Sequence, residues 1–251
     1  MIKINESKSI GSVIFVVEGE NDEPQLLTHL FREVFGYSIV SYNKRTEQYI
    51  ELQGKNKYSR VFIVPAEYSA VNKIGESHEY FDRIYETLSV KYRLDVENNA
   101  IYYIYDRDRE SNRPGQIMKL ISVFSNSRDN ENNEMNGLIL LSYPSLESYI
   151  LNANADEGSF ALGKDIKCYI GDKGYKIKDI RKEEVEQTAN VMIEKIRNVT
   201  EFRMEDLDKF DVVNKNVFNY QEKKWQSESI YDTLSLISVA LLDLGMLEMT
   251  Y

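Results

Sequence analysis

Hydrophobic positions follow two periodicities along this chain, and each predicts a kind of element. Val13 to Val17 is an unbroken, mostly β-branched run, the pattern of a strand covered on both faces of a parallel sheet. It stops at Glu18-Gly19. Asp22 and Pro24 then supply N-cap and first-turn signals for a helix whose apolar stripe runs through Leu26, Leu27, Leu30, Phe31, Val34 and Phe35. Three shorter runs, Ser38 to Tyr42, Tyr49 to Leu52 and Val61 to Val64, predict further strands between polar turns, the last of them in the core. A helix follows from about Ser77 to Val90, with Phe81, Ile84, Tyr85 and Leu88 on one face. Ala100 to Tyr105 reads as the next buried strand and delivers Asp106-Arg107-Asp108.

Pro114-Gly115 opens another helix, with Ile117, Leu120, Ile121 and Phe124 along one side. The polar, asparagine-rich stretch from Ser125 to Asn136 reads as an exposed loop, after which Leu138 to Leu141 resumes as a strand. Tyr143-Pro144-Ser145 leads into a short helix carrying Leu146, Glu147 and Ile150. Beyond Asn152 the pattern changes to amphipathic segments, one around Val185, Ala189, Met192, Ile193 and Ile196, the other around Ile230, Leu234, Ile237, Leu241 and Leu244. The expected architecture is an α/β domain over residues 1–152, with a mostly parallel sheet flanked by helices, followed by a mainly helical domain over 153–251. No internal repeat is visible.

Composition narrows the chemistry. A single cysteine, Cys168, rules out an intramolecular disulfide and a cysteine-based zinc site, and it is expected to pack inward rather than react. The two histidines, His29 and His78, fall within predicted helices and read as structural or exposed, so the ligands of any metal must be oxygens. The start of the chain lacks the apolar run of a secretory leader, and later apolar stretches fall well short of the roughly 18 residues of a membrane span. A soluble, cytoplasmic protein without a membrane partner is the expectation. The 41 acidic residues outnumber the 31 basic ones, which weighs against tight non-specific binding to phosphate backbones without excluding nucleic acid as substrate.

In an open α/β sheet, ligands lie outside the carboxyl ends of the strands, and two separate strands here end in acids. Glu18 closes the first; Asp106 and Asp108 close the later one. Residues two apart in an extended segment point the same way, so Asp106 and Asp108 can address one ion if the strand geometry persists through Arg107. Mg²⁺, or Mn²⁺, is a hard ion that takes carboxylate oxygens and keeps water and phosphate oxygens in its shell. Three acids at neighbouring strand ends suit it.

These residues, VIFVVEGENDEPQLL and AIYYIYDRDRES, resemble the Toprim family of primases, topoisomerases, small ribonucleases and OLD-type nucleases. The family carries a Glu, typically followed by Gly, at the end of one core strand and Asp-x-Asp at the end of a later one. Glu18-Gly19 and Asp106-Arg107-Asp108 match that pattern, and the resemblance covers roughly residues 12 to 150. It implies a Toprim-like fold in which Glu18 is the general acid or base and a ligand, and Asp106 and Asp108 are the Mg²⁺ ligands. The interval from Glu18 to Asp106 is long for a compact Toprim module and implies an insertion. LSYPSLESYIL, at Leu141 to Leu151, looks similar to a strand, proline and helix segment of defence-associated Toprim-like proteins of the RloB and abortive-infection type. That resemblance makes Glu147 a further acid of the site and implies a nuclease in anti-phage defence, working with a partner ATPase or as a homo-oligomer.

Other readings of the same residues compete. Asp22 serves as a helix N-cap rather than a ligand, and Glu147 as a solvated helix residue. Gly163 to Lys182 holds seven basic residues against three acidic ones, and Lys173, Lys176 and Lys178, interleaved with Tyr169 and Tyr175, suit a nucleic-acid backbone and unpaired bases. The alternative is the solvated face of a hairpin. Arg107, Arg109 and Arg113 stand beside the acids, either to clamp a phosphate or simply to pair with them. Two other functions compete: a Mg²⁺-dependent phosphatase using Asp106 as nucleophile, for which the sequence offers no convincing set of catalytic lysine and further acids, and a non-enzymatic sensor or interaction subunit, which the acidic charge and amphipathic final segment fit.

Overall fold

β-branched and aromatic runs become strands here wherever both faces can be covered. The structure, a computed structural model, describes residues 1–41, 49–66, 77–109, 113–128 and 136–250. After a short N-terminal strand, β1 (Ile2–Ile4), the run at Val13 forms β2 (Ser12–Val17), with Val13 to Val17 buried on both faces. Helix α1 (Asp22–His29) follows and continues through a wider, π-helical turn at Leu30–Val34. Strands β3 (Ser38–Ser41), β4 (Ile50–Gln53) and β5 (Arg60–Pro65) come next. The expected end of the first of these, Tyr42, lies outside the described residues. Helix α2 (Ser77–Glu86), extended by a π-helical turn at Thr87–Lys91, precedes β6 (Ala100–Asp106) and α3 (Pro114–Val123).

The expected loop from Ser125 is not wholly irregular: β7 (Ser125–Asn126) pairs antiparallel with the start of β8 (Gly137–Tyr143), while residues 129–135 lie outside the described part. Helix α4 (Glu147–Ala153) and strand β9 (Ser159–Phe160) lead to α5 (Gly163–Lys173), α6 (Lys182–Val199) and α7 (Phe210–Glu228). The chain closes with β10 (Tyr231–Asp232), β11 (Leu234–Ser235), α8 (Ile237–Asp243) and β12 (Leu247–Met249).

Strand order decides where a ligand fits. Among the described residues, one mixed sheet runs β11-β8-β6-β2-β5-β4-β3. Its centre is parallel: β2 pairs with β5 and with β6, and β6 pairs with β8. Strands β3, β4 and β11 extend it antiparallel. From β2 the chain goes out to β5 on one side, then crosses back over β2 to β6 and continues outward to β8. The direction of winding therefore reverses between β2 and β6, and the carboxyl ends of those two strands flank the crevice where open α/β sheets bind ligands.

Two expectations about the C-terminal part are corrected. The segment from Ile230 to Leu244 is not one amphipathic helix. Apolar residues occupy almost every position from Leu234 to Leu242, so Leu234–Ser235 joins the sheet beside Tyr143 and Ser142, and α8 is buried on nearly all sides. Residues Gly163–Lys173 form a helix, α5, rather than a hairpin face. The change of element type near residue 152 does not divide the core. β11 edges the main sheet, β1 pairs with β12, and buried residues of α6, α7 and α8 belong to the same apolar cluster as β2, β6 and β8. Helix α7 had no prediction, because its buried side carries Asn214, Gln221 and Glu222 as well as Phe210, Val213, Val217 and Phe218.

Candidate functional site

The β2–β6 ladder carries the two acidic strand ends into contact. Val17 lies opposite Ile104, and one residue later the Glu18 N–H donates to the Ile104 carbonyl at 3.2 Å. The Glu18 side chain then turns across the strand, and its Oε2 accepts the Asp106 backbone N–H at 3.0 Å. Residues 88 apart in sequence are thus joined at the switch point. Pairing continues one residue past the end of β6: the Arg107 N–H donates to the Ser142 carbonyl at 2.8 Å, and Arg107 and Arg109 both reach Glu222. Asp106 and Asp108 are both electrostatically coupled to Glu18.

Further carboxylates crowd this point. Glu23, in the first turn of α1, is buried, as is Glu147 at the start of α4. Burial, followed by the charges of Glu23, Glu18 and Glu147, pushes the Asp106 carboxyl well above the ordinary carboxylate range, against a backbone hydrogen bond from Leu146 that favours the ionised form. Burial likewise lifts Glu18 to about 7; the Asp106 N–H opposes this, and the charges of Glu23 and Asp108 add to it. Glu23 is raised by burial too, with Asp22 and Glu147 contributing. Gly19 lies hard against this acid, since a β-carbon there would collide with the Glu23 carboxylate.

Glu147 is not solvated. Ser145 Oγ donates to its Oε2 at 2.6 Å, and Lys167 Nζ of α5 lies 3.2 Å from its Oε1. Lys167 also reaches Asp22 Oδ2 at 3.0 Å. Partial burial works against the charged lysine, but the hydrogen bonds and charges of Asp22 and Glu147 outweigh it and raise its pKa. Asp22 is consequently an ion-pair partner rather than the N-cap: the cap position falls on Asn21, which makes no side-chain capping bond. A groove of about 340 Å³ opens beside Asp22 and Glu147 and is also lined by Tyr175, Lys176 and Lys178.

The remaining expected contacts are distributed differently. Arg107 is fully buried, with its Nε 2.8 Å from Glu222 Oε1, so it pairs with an acid on α7 and is out of reach of a phosphate. Arg109 Nη1 lies 2.6 Å from Glu222 Oε2. Lys173 is exposed, its ammonium 5.3 Å from the centre of the Tyr169 ring, and it does not line the groove. The hydroxyls of Tyr169 and Tyr175 both donate to Asp156, at 3.1 and 3.3 Å. Cys168 is exposed, against the expectation that it packs inward, because Ile166 and Ile170 take the buried face of α5. His29 is structural, its Nε2 lying 2.8 Å from the Ile180 carbonyl.

Glu23, Lys167 and Glu222 were not singled out as site residues by the sequence. Glu23 and Lys167 carried the weak signals of a first-turn acid and a basic strip, whereas Glu222 carried none. The donor set, carboxylates that raise one another's pKa values, suits a hard divalent cation. Among the described residues, however, no three Asp, Glu, His or Cys side chains stand gathered as a ready-made ion site.

The fold and the cluster together define a mixed α/β protein with an acidic site at its switch point. No family model matches the chain, and no curated protein matches it. A solved structure that it resembles, a hypothetical protein from Pyrococcus horikoshii OT3, shares 15% identity over 94% of this chain and 99% of that chain, with a TM-score of 0.35. No helix among the described residues is long and apolar enough to cross a membrane.

Proposed function

We propose that this chain is a Mg²⁺-dependent nuclease of the Toprim type, hydrolysing phosphodiester bonds of DNA or RNA. The observation that carries the reading is the hydrogen bond from the Asp106 N–H to Glu18 Oε2, which joins the acidic ends of β2 and β6 at the point where the sheet reverses its winding. Asp106 and Asp108 are the residues that would hold the ion, with Glu18 beside them and Glu147 adjoining. When bound, Mg²⁺ supplies charge neutralisation to a carboxylate cluster and polarises a phosphate oxygen.

Glu18, which accepts the Asp106 N–H, would take the proton of a water that attacks phosphorus, the role the Toprim resemblance gives it. Lys176 and Lys178 line the groove that contains Glu147 and would meet a phosphate there, while Arg107 and Arg109 are engaged by Glu222. The test offers plasmid, single-stranded DNA and tRNA to the purified chain with Mg²⁺ or Mn²⁺. Cleavage that disappears in both Asp106→Ala and Glu18→Ala supports the proposal. Cleavage that survives both changes, or a wild-type chain inert toward all three substrates, removes it.

A further inference from the structure

The Asp106 to Arg109 segment is tied to the C-terminal helices by one carboxylate. Glu222, 115 residues beyond Arg107, accepts from Arg107 Nε and from the Tyr231 hydroxyl on Oε1, at 2.8 and 2.9 Å. Its Oε2 accepts from Arg109 Nη1 at 2.6 Å. The Arg107 guanidinium lies 5.6 Å from the Phe218 ring centre and 5.8 Å from that of Tyr231, and the Arg109 guanidinium lies 5.2 Å from Trp225. A fully buried guanidinium is tolerated only where a carboxylate meets it, so Glu222 dictates where Arg107 sits. Arg109 adds a second tether two residues on.

We infer that Glu222 is a positioning residue for the aspartates, a role that rests on the metal-site reading given above. The strand ladder ends with the Arg107 N–H on the Ser142 carbonyl, and Asp108 lies beyond it between two arginines held by the same carboxylate. Holding both arginines fixes the segment that brings Asp106 and Asp108 to Glu18. Residues that orient metal ligands in this way typically change metal affinity by about 10- to 100-fold when altered. The clamp also carries its own reporter: Trp225, the single tryptophan of the chain, lies beside Arg109 and stacks on Tyr231 at a ring separation of 4.9 Å.

Mn²⁺ titrated into the full chain, followed by calorimetry and by Trp225 fluorescence, tests the role. The proteins compared are wild type, Glu222→Gln, and the triple variant Arg107→Met, Arg109→Leu and Glu222→Leu, which removes all three paired ions together and so need not destabilise the fold. Wild type is expected to bind Mn²⁺ with a change in tryptophan emission. Both variants are expected to bind at least about tenfold more weakly, the triple variant doing so at an unchanged melting temperature. Nucleic-acid cleavage in the variants is expected to recover at saturating Mn²⁺. Wild-type Mn²⁺ affinity in the variants, or a loss that merely tracks a fall in melting temperature, overturns the role of Glu222 and leaves the metal site standing. A wild-type chain that binds no Mn²⁺ removes both.

Discussion

Replacing Glu18 with Gln is expected to stabilise the metal-free protein, and the pH at which the gain opens follows from the site. Burial lifts the Glu18 carboxyl from its ordinary 4.5 to about 7; the Asp106 N–H holds it back, and Glu23 and Asp108 add to the rise. A folded state that raises a carboxyl's pKa holds the proton more tightly than the unfolded chain does. That contribution is fully present below about 4.5 and is lost as pH rises through about 7. Above about pH 7 the ionised Glu18 therefore costs the fold at most about 3.5 kcal/mol, at about 1.4 kcal/mol per tenfold change in proton affinity.

Gln keeps a carbonyl oxygen for the Asp106 N–H and carries no charge, so it retains the hydrogen bond and sheds this cost. For a chain of this size the ceiling corresponds to a gain of about 7 to 14 °C in melting temperature. Thermal melts of both proteins with divalent ions chelated, run from about pH 4.5 to about pH 8, read the effect directly. The two curves are expected to meet at the acid end, to separate as pH rises and to level off above about 7, the variant melting higher. A gap independent of pH, or a wild-type protein that melts higher at the alkaline end, refutes the reasoning.

Three other perturbations have defined outcomes. Gly19→Ala sets a methyl group against the far end of the Glu23 side chain, which can swing aside, and is expected to change stability by less than about 1 kcal/mol in urea denaturation. Changing Lys176 and Lys178 together to Glu is expected to weaken binding of a single-stranded oligonucleotide and to lower the salt-dependence slope by roughly 1.4, about 0.7 per lost phosphate contact, in anisotropy titrations. A chain cut after residue 152 loses β11 from the edge of β8 and β12 from β1. It is expected to show no cooperative thermal transition by circular dichroism.

The parallel core was legible because its strands are buried on both faces and therefore read as continuous apolar runs: Val13 to Val17, Val61 to Val64, Ala100 to Tyr105 and Leu138 to Leu141. That β2 and β6 become neighbours was not legible, since adjacency depends on where the crossovers return the chain. The acids at their ends could be named from sequence, but the pairing of Glu18 with the Asp106 backbone needed the register. Polar residues that are buried because they are partnered defeated the reading twice. Glu222 and Gln221 obscured the inner face of α7, and Arg107 looked like a phosphate ligand until its partner on α7 was placed. Periodicity failed at Ile230 to Leu244 for the opposite reason, because a segment apolar on all sides has no stripe to read.

Each acid of the cluster has a local offset to its charge. Glu18 accepts the Asp106 N–H and Asp106 accepts the Leu146 N–H; Glu23 and Glu147 occupy first helical turns, where backbone N–H groups favour negative charge. Ser145 and Lys167 add to the support of Glu147. Those offsets leave the mutual repulsion that helps raise Glu18, Glu23 and Asp106, and a divalent cation removes repulsion of this kind. Mg²⁺ is thus expected to raise the melting temperature more at about pH 8, where the cluster is more fully ionised, than at about pH 6. A concentration one hundred times the dissociation constant corresponds to about 2.7 kcal/mol. Glu18→Gln, with less repulsion to relieve, is expected to gain less from Mg²⁺ than wild type. An equal Mg²⁺ shift in the two proteins, or one that shrinks as pH rises, is incompatible with a cation held by these carboxylates.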